Sequence, residues 1–210
     1  MAYEDFSLEA AESSFALVSR PVELFPGLRP VPVANWLRDY LDRGQHVAAL
    51  VSEKARSEFL VVPILMAASE LTASELAIYS GQRLDVDPAR GLAGECDYIV
   101  ALTPPLPRLK APLITVLEAK KGDLEASLVQ CAAQMVGARV FNERAGLGHL
   151  HVHGCVTSGE VWQFLRFEAE MLMIDRTRLF LDNVGGILAV LGEIFRANLT
   201  TDATAPQVAS

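Results

Sequence analysis

The chain lacks most of the features that mark common protein classes. It has three cysteines in 210 residues, Cys96, Cys131 and Cys155, odd in number, widely spaced and set among apolar residues. No CxxC pair occurs, so no zinc or thiol-redox motif is indicated, and the three read as reduced, buried thiols. No apolar run reaches the roughly 18 residues that a membrane span needs, and no membrane partner is expected. Met1–Asp5 is acidic and lacks the basic-then-apolar order of a secretion signal, so a cytoplasmic location is expected. The Asn198-Leu199-Thr200 sequon then carries no meaning. Positive charge is also scarce: 18 Lys and Arg stand against 26 Asp and Glu, a net charge of −8. That argues against high non-specific affinity for nucleic acid, although a local basic groove is still possible. It suits a site that gathers carboxylates around a divalent cation, because such a cluster is costly without its metal. Glycine-rich phosphate loops, a nucleophile elbow and a dinucleotide fingerprint are all missing, which disfavours a small-molecule enzyme on another α/β fold.

The length fits one domain with a large core, and 51% hydrophobic residues exclude intrinsic disorder. Residues 4–20 carry apolar positions at helical spacing, namely Phe6, Leu8, Ala11, Phe15 and Leu17. Pro21, Pro26, Pro30 and Pro32 then predict an extended surface linker over 21–33, and Asn35–Asp42 a short helix closed by Gly44. Residues 1–46 thus form a helical and extended arm packed on the core. Residues 47–71 predict a helix that starts at Ser52-Glu53 and is kinked or broken by Pro63. Strands are predicted at 76–80, 96–102 and 112–117, the last two joined by one loop and so antiparallel. A long helix follows over 123–143, capped by Asp123 and buried through Leu124, Leu128, Cys131, Ala132, Met135, Val136, Val140 and Phe141. His149–His153 alternates strictly and predicts a partly exposed strand face with three imidazoles. Three such positions span roughly 13 Å, too far for all to reach one ion. Ser158-Gly159 predicts a hairpin turn to a strand over 160–167, with Trp162 and Phe164 in the core. A short edge strand at 170–175, a helix over 184–198 and a disordered tail at 199–210 complete the chain. The order is that of an α/β domain, residues 47–198, with a mixed central sheet flanked by helices.

Val116-Leu117-Glu118-Ala119-Lys120 is the stretch that carries chemistry. A buried strand should not end in an acid and a lysine unless something pairs with them. Glu118 and Lys120, two apart in a strand, project to one side. Asp97 lies near the start of the antiparallel neighbour, so the three converge at one edge of the sheet. Two carboxylates and the Ala119 carbonyl form a hard oxygen site suited to Mg²⁺ or Mn²⁺. Lys120 would orient or deprotonate an attacking water, or hold a phosphate oxygen. Glu53 or Glu58 would complete the outer shell, Glu53 being favoured, and Gln130 would hydrogen-bond the substrate backbone or a metal-bound water.

The helix acid in Ser52-Glu-Lys-Ala-Arg-Ser-Glu58, the Gly94-Glu-Cys-Asp97 aspartate, Glu118-Ala-Lys120, the glutamine in Val129-Gln-Cys-Ala-Ala-Gln134 and the Thr157–Trp162 hairpin occur in one order. On those residues the chain resembles the PD-(D/E)XK nuclease superfamily, and in particular bacterial and cyanobacterial predicted nucleases, over roughly residues 50–170. Cys96 stands where the family's motif has proline. The resemblance implies a restriction-endonuclease-like αβββαβ core and metal-dependent hydrolysis of nucleic acid, DNA being the expected partner. It implies Asp97 and Glu118 as metal ligands, Lys120 as catalytic lysine, Glu53 or Glu58 as helix acid and Gln130 as accessory glutamine. A homodimer is expected by the same analogy. The alternative is a binding or structural protein on this fold that has lost catalysis. Arg108, Lys110, Lys121, Arg139 and Arg144 are candidate phosphate contacts.

Overall fold

The computed structural model describes residues 2–6, 13, 15, 18–120, 124–168 and 171–202. A mixed α/β architecture is built on one open seven-stranded sheet. Its strands are β1 Val18–Val22, β2 Ala77–Arg83, β3 Glu95–Ala101, β4 Leu113–Ala119, β5 Val152–Thr157, β6 Val161–Glu168 and β7 Met171–Phe180. They lie in the order β1-β7-β6-β5-β4-β3-β2. β4 and β5 run parallel, as do β1 and β7, and the other neighbours are antiparallel. The β4 sequence Leu-Ile-Thr-Val-Leu-Glu-Ala is buried at every position. That is the pattern of a strand with helices on both faces.

Helix α4, Leu124–Arg144, covers one face over β4 and β5. Helices α1 (Asn35–Val47), α3 (Val62–Ser69) and α5 (Val184–Asp202) build the core of the other. The predicted α4 stripe is too narrow, because residues 131–138 are buried all round. The reason is a second cover. Tyr3 lies on the outer side of α4, and a Cβ at Gly137 would stand 2.2 Å from its hydroxyl oxygen. On the inner side α4 approaches the sheet closely at Gly154, where a Cβ would meet Met135 Sδ at 2.4 Å. Asn142 near the helix end donates Nδ2 to the Leu113 carbonyl and accepts the Leu113 N–H on Oδ1, both at 2.8 Å. This two-way amide clamp fixes the start of β4 against the helix.

Several expectations change. Residues 18–22, the end of the predicted helical stretch and the start of the predicted linker, are an edge strand paired with β7, a position that tolerates Pro21. Tyr3 and β1 therefore belong to the same core and sheet as residues 47–198. Of the predicted N-terminal helix, Leu8, Ala11 and Leu17 lie outside the described residues, while Phe15 packs on the core. α1 runs through Gly44, which packs beside Phe59, to Val47 rather than ending there. The 47–71 helix is α2 (Glu53–Arg56), a π-helical turn (Ser57–Val61) and α3. The π turn directly precedes Pro63, whose ring removes a helical donor. Ser52 caps as predicted, accepting the Ala55 N–H at 3.1 Å. β7 is ten residues long and lies between β6 and β1, so it is not a short edge. Only His153 of the three histidines falls in β5, and it is buried rather than partly exposed. α5 extends through Asp202, residues 203–210 lie outside the described residues, and so does the Asp123 cap. All three cysteines are buried and free. Among the described residues no helix is long and apolar enough to cross a membrane.

Two measurements follow. Asn142→Ala leaves both Leu113 backbone groups without partners and should cost about 2–4 kcal/mol in denaturant unfolding. Burial, and then the nearby Arg166 and His151, push His153 down to about 3 from its ordinary 6.5. The unfolded chain binds that proton more tightly, so stability is lost as pH falls from 6.5 towards 3. Replacing His153 by Leu should remove up to about 1.4 kcal/mol per pH unit from the slope of unfolding free energy across that window.

Candidate functional site

β3 and β4 bring the acids together through their register. Tyr98 pairs with Leu117, and one further step along the two strands sets Asp97 opposite Glu118. The Ala119 N–H donates to Asp97 Oδ2 at 2.7 Å. On the α4 side, Gln134 Nε2 donates to Glu118 Oε2 at 2.8 Å. Lys120 Nζ lies 3.2 Å from Glu118 Oε1. Beyond that ammonium, Oε1 has no hydrogen-bond partner among the described residues. The Lys120 N–H donates to the Thr157 carbonyl and continues the β4–β5 ladder. Its backbone is thus fixed while its side chain is 37% exposed.

The charges are coupled. Glu118 is 1% exposed, and burial first, then Asp97, pushes its carboxyl up to about 7. Asp97 is also raised, chiefly by burial and further by Glu53, against the lowering effect of the Ala119 N–H and Lys120. The two carboxyls lie within hydrogen-bond reach when one is protonated. Burial alone would depress Lys120, but Glu118, Asp97 and Glu53 outweigh it and hold its ammonium above the usual range.

Two cavities flank Asp97. One, of about 400 Å³, is lined by Ala2, Tyr3, Arg83, Lys120 and Gln130 among others. The other, of about 450 Å³, is lined by Glu53, Lys54, Ser57, Glu58, Tyr98 and Ala119 among others. Glu95 and Asp97 line both and form the ridge between them. Both helix acids therefore reach the site's rim, but only Glu53 acts on Asp97 and Lys120. Glu58 sits beside Lys54 at 3.9 Å, more than half exposed. Gln130 lines the Lys120 cavity, whereas the glutamine on Glu118 is Gln134. The two share one side of α4, and only depth against the sheet separates them, which spacing does not reveal. Ser57 Oγ hydrogen-bonds the Tyr98 hydroxyl, tying the π turn to β3. Of the basic candidates, Arg139 pairs with Glu143 at 2.7 Å and stacks over Phe167. Lys121 lies outside the described residues. Arg83 and Lys54 line the cavities instead, contacts that follow from the ends of β2 and α2 meeting near β3 and carry no sequence motif.

Among the described residues no three His, Cys, Asp or Glu side chains gather into a metal-holding group. The donor set is two carboxylates. That fits Mg²⁺, which is commonly held by one or two carboxylates and keeps several waters. Glu118 Oε1, on a buried carboxyl and 3.2 Å from the Lys120 ammonium, keeps acceptor capacity that such a cation would use. No protein-family model matches the chain, and no curated protein matches it.

The carboxyl group of Glu118 has a direct thermodynamic signature. Its folded value, about 7, stands above the ordinary 4.5, so its contribution is intact below 4.5 and lost as pH rises to 7. In chelator, Glu118→Gln should therefore stabilise the protein by about 1–3 kcal/mol near pH 8 and leave it nearly unchanged near pH 4.5. Thermal unfolding at the two pH values measures this.

Proposed function

We propose that this chain is a divalent-metal-dependent nuclease that hydrolyses phosphodiester bonds in DNA, on a restriction-endonuclease-like αβββαβ core. The observation that carries the reading is Asp97, Glu118 and Lys120 joined at one end of β3 and β4, with the buried Glu118 Oε1 facing the Lys120 ammonium. The element order supports it as well: the acid-bearing helix, three antiparallel strands, α4 and then β5 parallel to β4.

Asp97 and Glu118, with the Ala119 carbonyl, would hold Mg²⁺ or Mn²⁺. A bound cation would neutralise the two acids and make a coordinated water acidic enough to attack phosphorus. Gln134 occupies Glu118 Oε2, which orients Oε1 toward the site. Lys120 stays an ammonium, since three carboxylates raise it against the effect of burial. Its role is therefore to donate hydrogen bonds, to a phosphate oxygen or to the water's oxygen, rather than to remove a proton. Glu53 acts from the start of α2 on the outer side of Asp97. Gln130, on the Lys120 side, is placed to hydrogen-bond the substrate backbone.

Incubation with supercoiled plasmid and Mg²⁺ or Mn²⁺ tests this. Wild type should nick the plasmid, and Lys120→Ala should lower the rate about 100-fold or more. Absence of metal-dependent cleavage of both the plasmid and single-stranded DNA by wild type favours a binding protein on this fold, and equal nicking by Lys120→Ala removes the lysine from the chemistry.

A further inference from the structure

The two cavities beside Asp97 restrict what can reach the acids. Each is of the size that takes one small-molecule-sized group. They share Glu95 and Asp97, and beyond these one is lined from α4 by Gln130 and the other from α2 and the π turn by Glu53, Ser57 and Glu58. Part of the wall of the Lys120 cavity is the N-terminal segment, through Ala2 and Tyr3. Tyr3 donates its hydroxyl proton to the Leu84 carbonyl at 2.8 Å and is 1% exposed. Its ring fits against Gly94, where a Cβ would stand 3.0 Å from Cδ2, and its hydroxyl against Gly137. Two side-chain-free positions and a buried hydrogen bond hold this wall in place.

The charge around the cavities points the same way. Duplex DNA carries one negative charge per roughly 1.7 Å, and faces that follow it bring many Lys and Arg. Among the described residues, the cationic side chains lining these two cavities are Lys54, Arg83 and Lys120, and each lies against an acid: Glu58, Asp85 and Glu118. A groove for paired strands is not what these residues make.

Resting on the nuclease reading above, we propose that the site takes a single nucleic-acid strand, or the frayed end of a duplex. The scissile phosphate crosses the Glu95–Asp97 ridge, and the nucleotides on either side of it enter the two cavities. Neighbouring bases must then unstack and leave their pairing partners, which a closed duplex resists at a cost paid in rate.

The test compares metal-dependent cleavage of single-stranded DNA and RNA with cleavage of the same sequence as a dumbbell duplex closed at both ends. The single strand should be cut at least about tenfold faster than the dumbbell. Its log KM should rise with log salt at a slope of about 2 or less, for no more than three phosphate contacts. Equal rates, or faster cutting of the dumbbell, overturn the single-strand inference and leave the nuclease reading standing. No metal-dependent cleavage of any of the substrates overturns both. Ala2→Trp, which crowds the Lys120 cavity from the N-terminal wall, should raise KM for the single strand several-fold while the thermal midpoint and Mn²⁺ binding stay as in wild type. An unchanged KM in that variant overturns the N-terminal segment as a wall of the site.

Discussion

A carboxylate almost without solvent, Glu118, is the constraint around which the sheet end is organised. Burying an ionised group alone is costly, and proteins hold such groups by pairing or by shifting their titration. Here the compensation is divided. Gln134 satisfies one oxygen, and Lys120 approaches the other from solvent. Asp97, tied to the Ala119 N–H, adds a second negative charge instead of relieving the first. The arrangement keeps unfavourable charge in place that a structural salt bridge would have avoided. Such placement of strain is common where a protein binds or transforms something.

The rest of the architecture holds that end rigid. β4 is gripped at its start by the Asn142 amide and is flanked by a strand on either side. α4 is pressed to the sheet at Gly154 and covered by Tyr3 at Gly137, so Gln134 has little freedom to leave Glu118. On the other face, the π turn is bound to β3 through Ser57 and Tyr98, which sets where the chain carrying Glu53 meets the site. A π turn beside Pro63 thus serves placement as well as relief of a missing donor.

Much of this was legible in the sequence, and for physical reasons. β4 and β3 announce themselves by β-branched and apolar runs, and a single loop between them forces the antiparallel pairing that unites Asp97 and Glu118. Ser52 reads as a cap because its hydroxyl is suited to nothing else there. The misreadings share one cause, which is that they depend on what packs alongside. Pro21 looks like a linker residue until β7 supplies a parallel partner that does not need its missing N–H. Gln130 and Gln134 are equivalent by spacing, and only the depth of α4 on the sheet assigns Gln134 to Glu118. His153 alternates like an exposed residue, yet helices cover its face. Asn142, Tyr3 and Arg83 act across long separations in the chain, where no local pattern signals them.

The central claim is that Asp97 and Glu118 form a cation site whose occupancy requires Glu118 to lose its proton. Calorimetric titration of the protein with Mn²⁺ near pH 6.5, repeated in buffers of different ionisation enthalpy, tests it most directly. The account predicts one-site binding that releases protons as the metal enters and is lost in Asp97→Asn. Absence of binding at millimolar Mn²⁺, or binding that survives Asp97→Asn unchanged, would contradict it.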